Sequence, residues 1–290
     1  MKKINFLIIF FMFILCAPVF ADEYKEKWHS KELVQYVESA AALMEKKGEA
    51  SFPAFRNTKG PWFRGDIYIF IWGLDGMRYV YPPDPSGEGK NMMALTDISG
   101  RPIGRQFIDV ARSKAGKGWV HYQWPRPFEI LPLWKTTYIM RAKAPSGKEY
   151  LVGAGIYNMK MERDFIVFTV NAAVELIKKT GKSAFDRFRD KTSQFFYMNT
   201  YVFVLKTNGV ELVNPAFPPL EGRNLLNYRD ASGKLLVKEM IKKTKTAKSA
   251  WVDYYWPLPG YTKQVKKSAY IRKVSLKGEE LIVGAGMYEE

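Results

Sequence analysis

The chain has 290 residues, 47% of them hydrophobic and 15% aromatic, which excludes a disordered tail and suits one large domain or two of ordinary size. Lysine and arginine number 45 against 29 acidic residues, a net charge of +16 that admits nucleic acid, an anionic membrane surface or small anions as partners without choosing among them.

The first element reads as an export signal. Met1, Lys2 and Lys3 give a positive start, Ile4 to Leu15 an apolar run broken only by Asn5, and Val19, Phe20, Ala21 a small-residue cleavage pattern. Residues 1–21 are expected to be removed after Ala21, leaving a periplasmic or secreted chain from Asp22. The apolar run is shorter than the roughly 20 residues a membrane-spanning helix needs, and no later segment is long enough to span. The single cysteine, Cys16, lies inside this signal, so the mature chain has no disulfide, thiolate metal site or cysteine nucleophile. An exported protein rarely meets nucleic acid. The lysine clusters Lys242, Lys243, Lys245, Lys248 and Lys263, Lys266, Lys267 therefore read as solvated faces, with peripheral contact to anionic lipid or a receptor as a secondary role.

Next comes a helix over Leu33 to Lys47, with Leu33, Val37, Ala40, Ala41 and Met44 on one face and Gly48 as its stop. A shorter helical piece around Phe52 and Phe55 follows. Asp66 to Trp72 is β-rich, and Asp75-Gly76 turns it into Met77 to Tyr81, a hairpin. Pro82 to Gly104 is a Pro- and Gly-rich loop and Arg105 to Lys114 a short helix. Gly118 to Trp124, Lys135 to Ala144 and Tyr150 to Tyr157 supply three more strands.

Then the pattern starts again. A helix over Phe165 to Lys179, stopped by Gly181, opens a second copy, and Asp75-Gly76 recurs as Asn208-Gly209, 133 residues on. Glu88-Gly89-Lys90-Asn91 recurs as Glu221-Gly222-Arg223-Asn224, and Asp97, Ser99, Gly100 as Asp230, Ser232, Gly233. Trp119, Val120, Tyr122, Trp124, Pro125 recurs as Trp251, Val252, Tyr254, Trp256, Pro257, and Leu151 to Tyr157 as Ile282 to Tyr288. Each unit is too long for a solenoid repeat and reads as a domain duplicated in tandem, residues 22–160 and 161–290. A long helix followed by an antiparallel sheet makes each one α+β.

These blocks, in this order and twice over, resemble the single Cache domains of bacterial extracytoplasmic sensors, across Lys31 to Tyr157 and again Phe165 to Tyr288. The resemblance implies two tandem PAS-like domains, each a long N-terminal helix packed on an antiparallel sheet, with a small-molecule pocket on the sheet face beneath a loop-rich flap. That flap is expected from Pro82 to Asn91 together with the loop Pro125 to Trp134. It also implies a short carboxylate or similar metabolite as ligand. The family's usual setting is a membrane chemoreceptor or sensor kinase, and because the sequence stops right after the last strand, the expected partner is a separate membrane protein of that kind.

Candidate site residues come from the strands. On Gly118 to Trp124, Val120, Tyr122 and Trp124 point one way, Trp119, His121 and Gln123 the other, and both units keep the Val, Tyr, Trp face. Core packing explains such aromatics as readily as a ligand does. Lys135 and Lys267 open otherwise apolar strands at the same place in both units. Each is either a solvated guard of a sheet edge or the ammonium of an aromatic-walled carboxylate site. With Tyr122, Trp124, Tyr254 and Trp256 they form the candidate sites, and Tyr68, Tyr201, Tyr138 and Tyr270 are candidate hydroxyl donors. Regular alternation turns Tyr138 away from Lys135, which makes Tyr138 and Tyr270 the weaker pair. Arg64 and Trp62 precede only the first sheet and, if they line its pocket, make the two ligands differ. Gly153 and Gly155 read as close packing of the last strand against the helix, and Asp97 to Arg101 as a turn. His29 and His121 have neither metal-ligand spacing nor a catalytic partner, so no enzyme, metal or cofactor is expected. The leading expectation is a periplasmic sensor of a short organic acid. Its alternative is a non-sensing periplasmic interaction module, with one or both pockets filled by their own side chains, whose basic surface docks a receptor or an anionic membrane surface.

Overall fold

A computed structural model describes residues 28–289; the expected export signal and cleavage site lie outside these. Among the described residues no helix is long and apolar enough to cross a membrane. Helix α1 (Ser30–Lys47) buries Leu33, Val37, Ala40, Ala41 and Met44, the face its spacing predicts, and ends at Gly48, whose φ of 56° suits glycine alone. It begins three residues ahead of the expected Leu33 because Glu32 caps the His29 backbone N–H at 3.0 Å. After α2 (Phe52–Arg56) come β1 (Phe63–Arg64), β2 (Ile67–Tyr68), β3 (Phe70–Gly73) and β4 (Arg78–Val80). Helix α3 (Ile103–Arg112) starts two residues earlier than expected, directly after Pro102, whose carbonyl accepts from Gln106 N–H. Strands β5 (Lys117–Pro125), β6 (Pro132–Lys143) and β7 (Glu149–Tyr157) complete an antiparallel sheet of order β4-β3-β7-β6-β5.

The second half repeats this arrangement element by element. Helices α4 (Arg163–Thr180) and α5 (Ala184–Arg189) are followed by β8 (Phe196–Tyr197), β9 (Thr200–Tyr201), β10 (Phe203–Lys206) and β11 (Glu211–Val213). Helix α6 (Leu236–Thr246) and strands β12 (Ser249–Pro257), β13 (Gln264–Leu276) and β14 (Glu279–Tyr288) close a sheet of order β11-β10-β14-β13-β12. Lys242 and Lys245 are exposed and Lys243 half-exposed, on the far side of α6 from its buried Leu236, Val237, Met240 and Ile241, and Lys248, just past the helix, is exposed.

Each sheet carries a helix on either face. In the first, α1 packs against Trp119, Tyr138, Tyr150, Val152 and Ala154, while α3 covers Phe70, Trp72, Val120, Tyr122 and Leu151 on the other side. The alternation along β7 corrects one expectation. Ala154 faces the long helix, so Gly153 and Gly155 face away from it: a Cβ on Gly153 would lie 2.4 Å from the Phe70 ring, and one on Gly155 2.3 Å from Thr137 Oγ1 and 2.8 Å from Lys135 Cε. Gly284 and Gly286 repeat this beneath Phe203 and Lys267. Replacing Gly153 by Ala is expected to cost about 1–3 kcal/mol through overpacking, read as a lower urea midpoint at unchanged slope. An unchanged midpoint would show that the ring has room to move.

The two halves are joined by more than the chain. Ser30 donates through its N–H and hydroxyl to Glu162, and Phe165 of α4 packs edge-on against Trp119, with ring centroids 4.7 Å apart. His121 stacks on Tyr197 at 3.9 Å and 11° and shares a 3.1 Å hydrogen bond with Thr136. Burial pushes this imidazole down to about 3, so it packs here as a neutral ring. The second half has an exposed Asp253 at the corresponding position, to which Ser268 donates at 2.6 Å. Arg101 is 3% exposed and reaches across to the backbone carbonyls of Lys191, Thr192 and Ser193.

Candidate functional site

The sheet face under α3 holds a cavity of about 20 Å³. Tyr68, Trp72, Arg78, Tyr81, Tyr122 and Trp124 line it, along with the apolar side chains of α3. Such a volume holds about one water, so a larger ligand enters only if the cover moves. That cover is the segment after β4: Arg78 N–H donates to Lys90 O at 3.0 Å, Gly89 N–H to Arg78 O at 2.8 Å, and Arg78 Nε to Gly87 O at 2.9 Å. Its base is stapled by Glu88, which accepts from Tyr81 N–H and from Arg56 Nε, both at 2.8 Å. Glu221, Asn214 and Arg189 repeat the staple in the second half, at 2.9 Å each. The other expected part of the flap, Pro125 to Trp134, lines no part of this cavity. Its tip residues Phe128 and Ile130 are each 90% exposed, because β5 and β6 run paired to Pro125 and Pro132 and carry the loop past the pocket.

Of the predicted residues, Tyr68, Tyr122 and Trp124 line the first cavity, and Tyr201, Tyr254 and Trp256 line its counterpart under α6, also about 20 Å³. Lys135 is no edge guard. β6 lies between β5 and β7, and the side chain is 1% exposed on the pocket side, with Nζ donating to Tyr68 Oη at 3.0 Å and Tyr157 Oη at 3.2 Å. It sits one layer behind the cavity wall, its charge over both phenol rings at 4.1 and 4.5 Å. Lys267 stands in the same way over Tyr201 and Tyr288 at 4.0 and 4.7 Å. Burial pulls both ammonium groups down to about 7.

Tyr138 and Tyr270 are corrected. Tyr138 lies against Trp119 on the α1 side and Tyr270 against Trp251 on the α4 side, across the sheet from the pockets, as alternation from Lys135 and Lys267 requires. Trp62 and Arg64 pack on Tyr36 of α1 and likewise stay out of the pocket. Asp97 is the turn it resembles: Oδ1 accepts from Ser99 and Arg101 N–H and Oδ2 from Gln123 N–H, and Asp230 repeats the pattern with Ser232, Lys234 and Tyr255.

The sequence reading missed Arg78. The residue is 8% exposed, its guanidinium lies 4.3 Å over Tyr81, and among the described residues its side chain is bonded through Nε alone. Trp72 Nε1 is a second buried donor on the same wall and has no partner. No carboxylate lines this cavity. The signal for Arg78 was available, since a charge two residues after the turn glycine, inside a short apolar strand, is out of pattern.

The chain is similar to several known proteins. One hundred residues are 29% identical to the methyl-accepting chemotaxis protein McpP of Pseudomonas putida, over 34% of this chain and 18% of the receptor, so the match spans under a fifth of that relative. A solved periplasmic sensor domain of a chemotaxis protein is 27% identical, with 42% of this chain and 86% of that one covered and a TM-score of 0.36. A Cache chemosensory domain described as recognising carboxylic acid is 24% identical over 42% and 84%, also at 0.36. The dCache_2 model, described as Cache domain, matches residues 22–290, and the chain accordingly belongs to the Cache domain family.

Proposed function

We propose that this protein is an extracytoplasmic sensor whose first domain binds a short organic carboxylate and reports its occupancy to a membrane chemoreceptor or sensor kinase. The observation that carries the ligand class is the donor excess of the first pocket. Arg78, the unpaired Trp72 N–H and the Lys135 charge behind Tyr68 converge on a wall without an acid, inside aromatic surfaces that exclude water. A carboxylate satisfies these donors and compensates both charges. The domain boundary at 160/161 and export through residues 1–21 belong to the same reading, which assigns no catalytic, metal or cofactor role.

A thermal-shift screen of acetate, propionate, butyrate, lactate and pyruvate tests it. Saturation at about a hundred times the dissociation constant is expected to stabilise the protein by about 2.7 kcal/mol. Arg78→Gln is expected to abolish that response at unchanged fold, because a charge-assisted bidentate contact is lost. The small cavity favours a second reading, an interaction module whose pockets are filled by their own side chains. A flat screen with cooperatively melting protein decides for it.

A further inference from the structure

The two pockets share a scaffold but not a polarity. At the position of Arg78 the second half has Glu211, 3% exposed and lining the cavity; at Tyr81 it has Asn214, and at Gly87 it has Leu220. The three exchanges fit one another. Gly87 is bare because the Arg78 guanidinium occupies the space of a side chain, 1.8 Å from where its Cβ would be. The shorter Glu211 leaves room that Leu220 can take. Tyr81 offers a π face to a cation, whereas Asn214 donates Nδ2–H to Glu211 Oε1 at 3.0 Å. Leu205 stands where Trp72 presents its N–H, so the second pocket loses that donor too.

Lys135 has Asp66 as its nearby acid; Asn199 stands there in the second half, and Glu211 is the acid that attracts Lys267. No ion pair forms between Glu211 and Lys267 within 4 Å among the described residues, and burial still holds each toward its neutral form, so this attraction leaves the carboxyl uncompensated. An acid set among Phe203, Leu225, Val237 and Met240 costs several kcal/mol to keep ionised unless a cation joins it. Beside it lie the faces of Tyr254 and Trp256, and Tyr201 Oη, which is buried and completes no well-formed hydrogen bond. A carboxylate, aromatic faces and a free hydroxyl are the complement of a protonated amine. We infer that the second pocket is a distinct site for a small apolar molecule carrying a protonated amine, with Glu211 as its charge partner. Burial holds this carboxyl up at about 8, and an arriving ammonium favours its ionised form.

The inference rests on the reading of these cavities as ligand pockets, and matched probes separate the two. The full-length mature chain is titrated with butylammonium chloride and, separately, with sodium butyrate by calorimetry. Butylammonium is expected to bind, and Glu211→Gln to weaken it about 10- to 100-fold with an unchanged near-ultraviolet spectrum. The triple variant Glu211→Arg, Asn214→Tyr, Leu220→Gly, which imports the first pocket's set, is expected to lose the amine and add a second butyrate site. Butyrate binding without any butylammonium binding overturns this inference alone, and binding of neither probe overturns the pocket reading with it. Amine affinity that survives either substitution also overturns it.

Discussion

Replacing Lys135 by Met is expected to strengthen the fold and weaken the ligand together. The wild-type protein keeps an ammonium in an apolar wall between two phenol rings, without an ion pair among the described residues. Exchange of such a charge for an apolar side chain of similar length stabilises by about 1–4 kcal/mol. The sign follows from linkage. Folding lowers the group from its ordinary 10.5 to about 7, so between these values the unfolded chain binds more protons than the folded one, and wild-type stability rises with pH. The advantage of Lys135→Met is therefore full below pH 7 and fades toward pH 10. Comparing the two proteins at each pH cancels the opposing contribution of Glu211, whose raised group makes both lose stability as pH climbs from 4.5 to about 8. In binding, a carboxylate restores the charged lysine, so calorimetry at pH 8 in two buffers is expected to show uptake of up to about one proton by wild type and less by Lys135→Met. Urea midpoints that keep a constant gap from pH 6 to pH 10 would sink this account.

Arg101→Ala is expected to give the largest loss of stability, about 3–5 kcal/mol. It removes a buried cation 3.7 Å from Asp97 and takes a donor from each of the carbonyls of Lys191, Thr192 and Ser193 at the junction of the halves, of which Thr192 keeps Gln106 and Ser193 keeps the Phe196 N–H. The corresponding Lys234 is about one-third exposed and pairs with Glu239 at 2.8 Å, so Lys234→Ala is expected to cost below about 1 kcal/mol. Arg101 also sits between Leu95 and Ile103, both of which line the first pocket. Loss of this strap is expected to split a single calorimetric melting transition into two, with carboxylate protecting the first half only. One transition, little shifted, would show that α4 and Trp119 suffice to hold the halves together.

Much of this was legible in the sequence because it depends on local periodicity. The helix faces, the hairpin turns at Gly76 and Gly209 and the duplicated order of blocks fixed the fold class, and alternation along β5 separated Tyr122 and Trp124 from Trp119. Alternation also argued against Tyr138 and Tyr270. The polarity of the pockets was harder to read, because it turns on which side chains converge from separate strands and loops. Arg78 and Glu211 lie in β-strands of three residues, where a charge stands out of pattern but the strand alone does not say which wall it joins. Lys135 read equally well as edge guard or site until the strand order placed β6 inside the sheet. The sequence by itself determined two α+β domains of one family and the aromatic faces they bury, since spacing along the chain sets which way a side chain points. Only the tertiary structure decided that Arg78 lines one cavity and Glu211 the other, and that Arg101 ties the first to the second half, since burial and charge pairing are set between residues far apart in the chain.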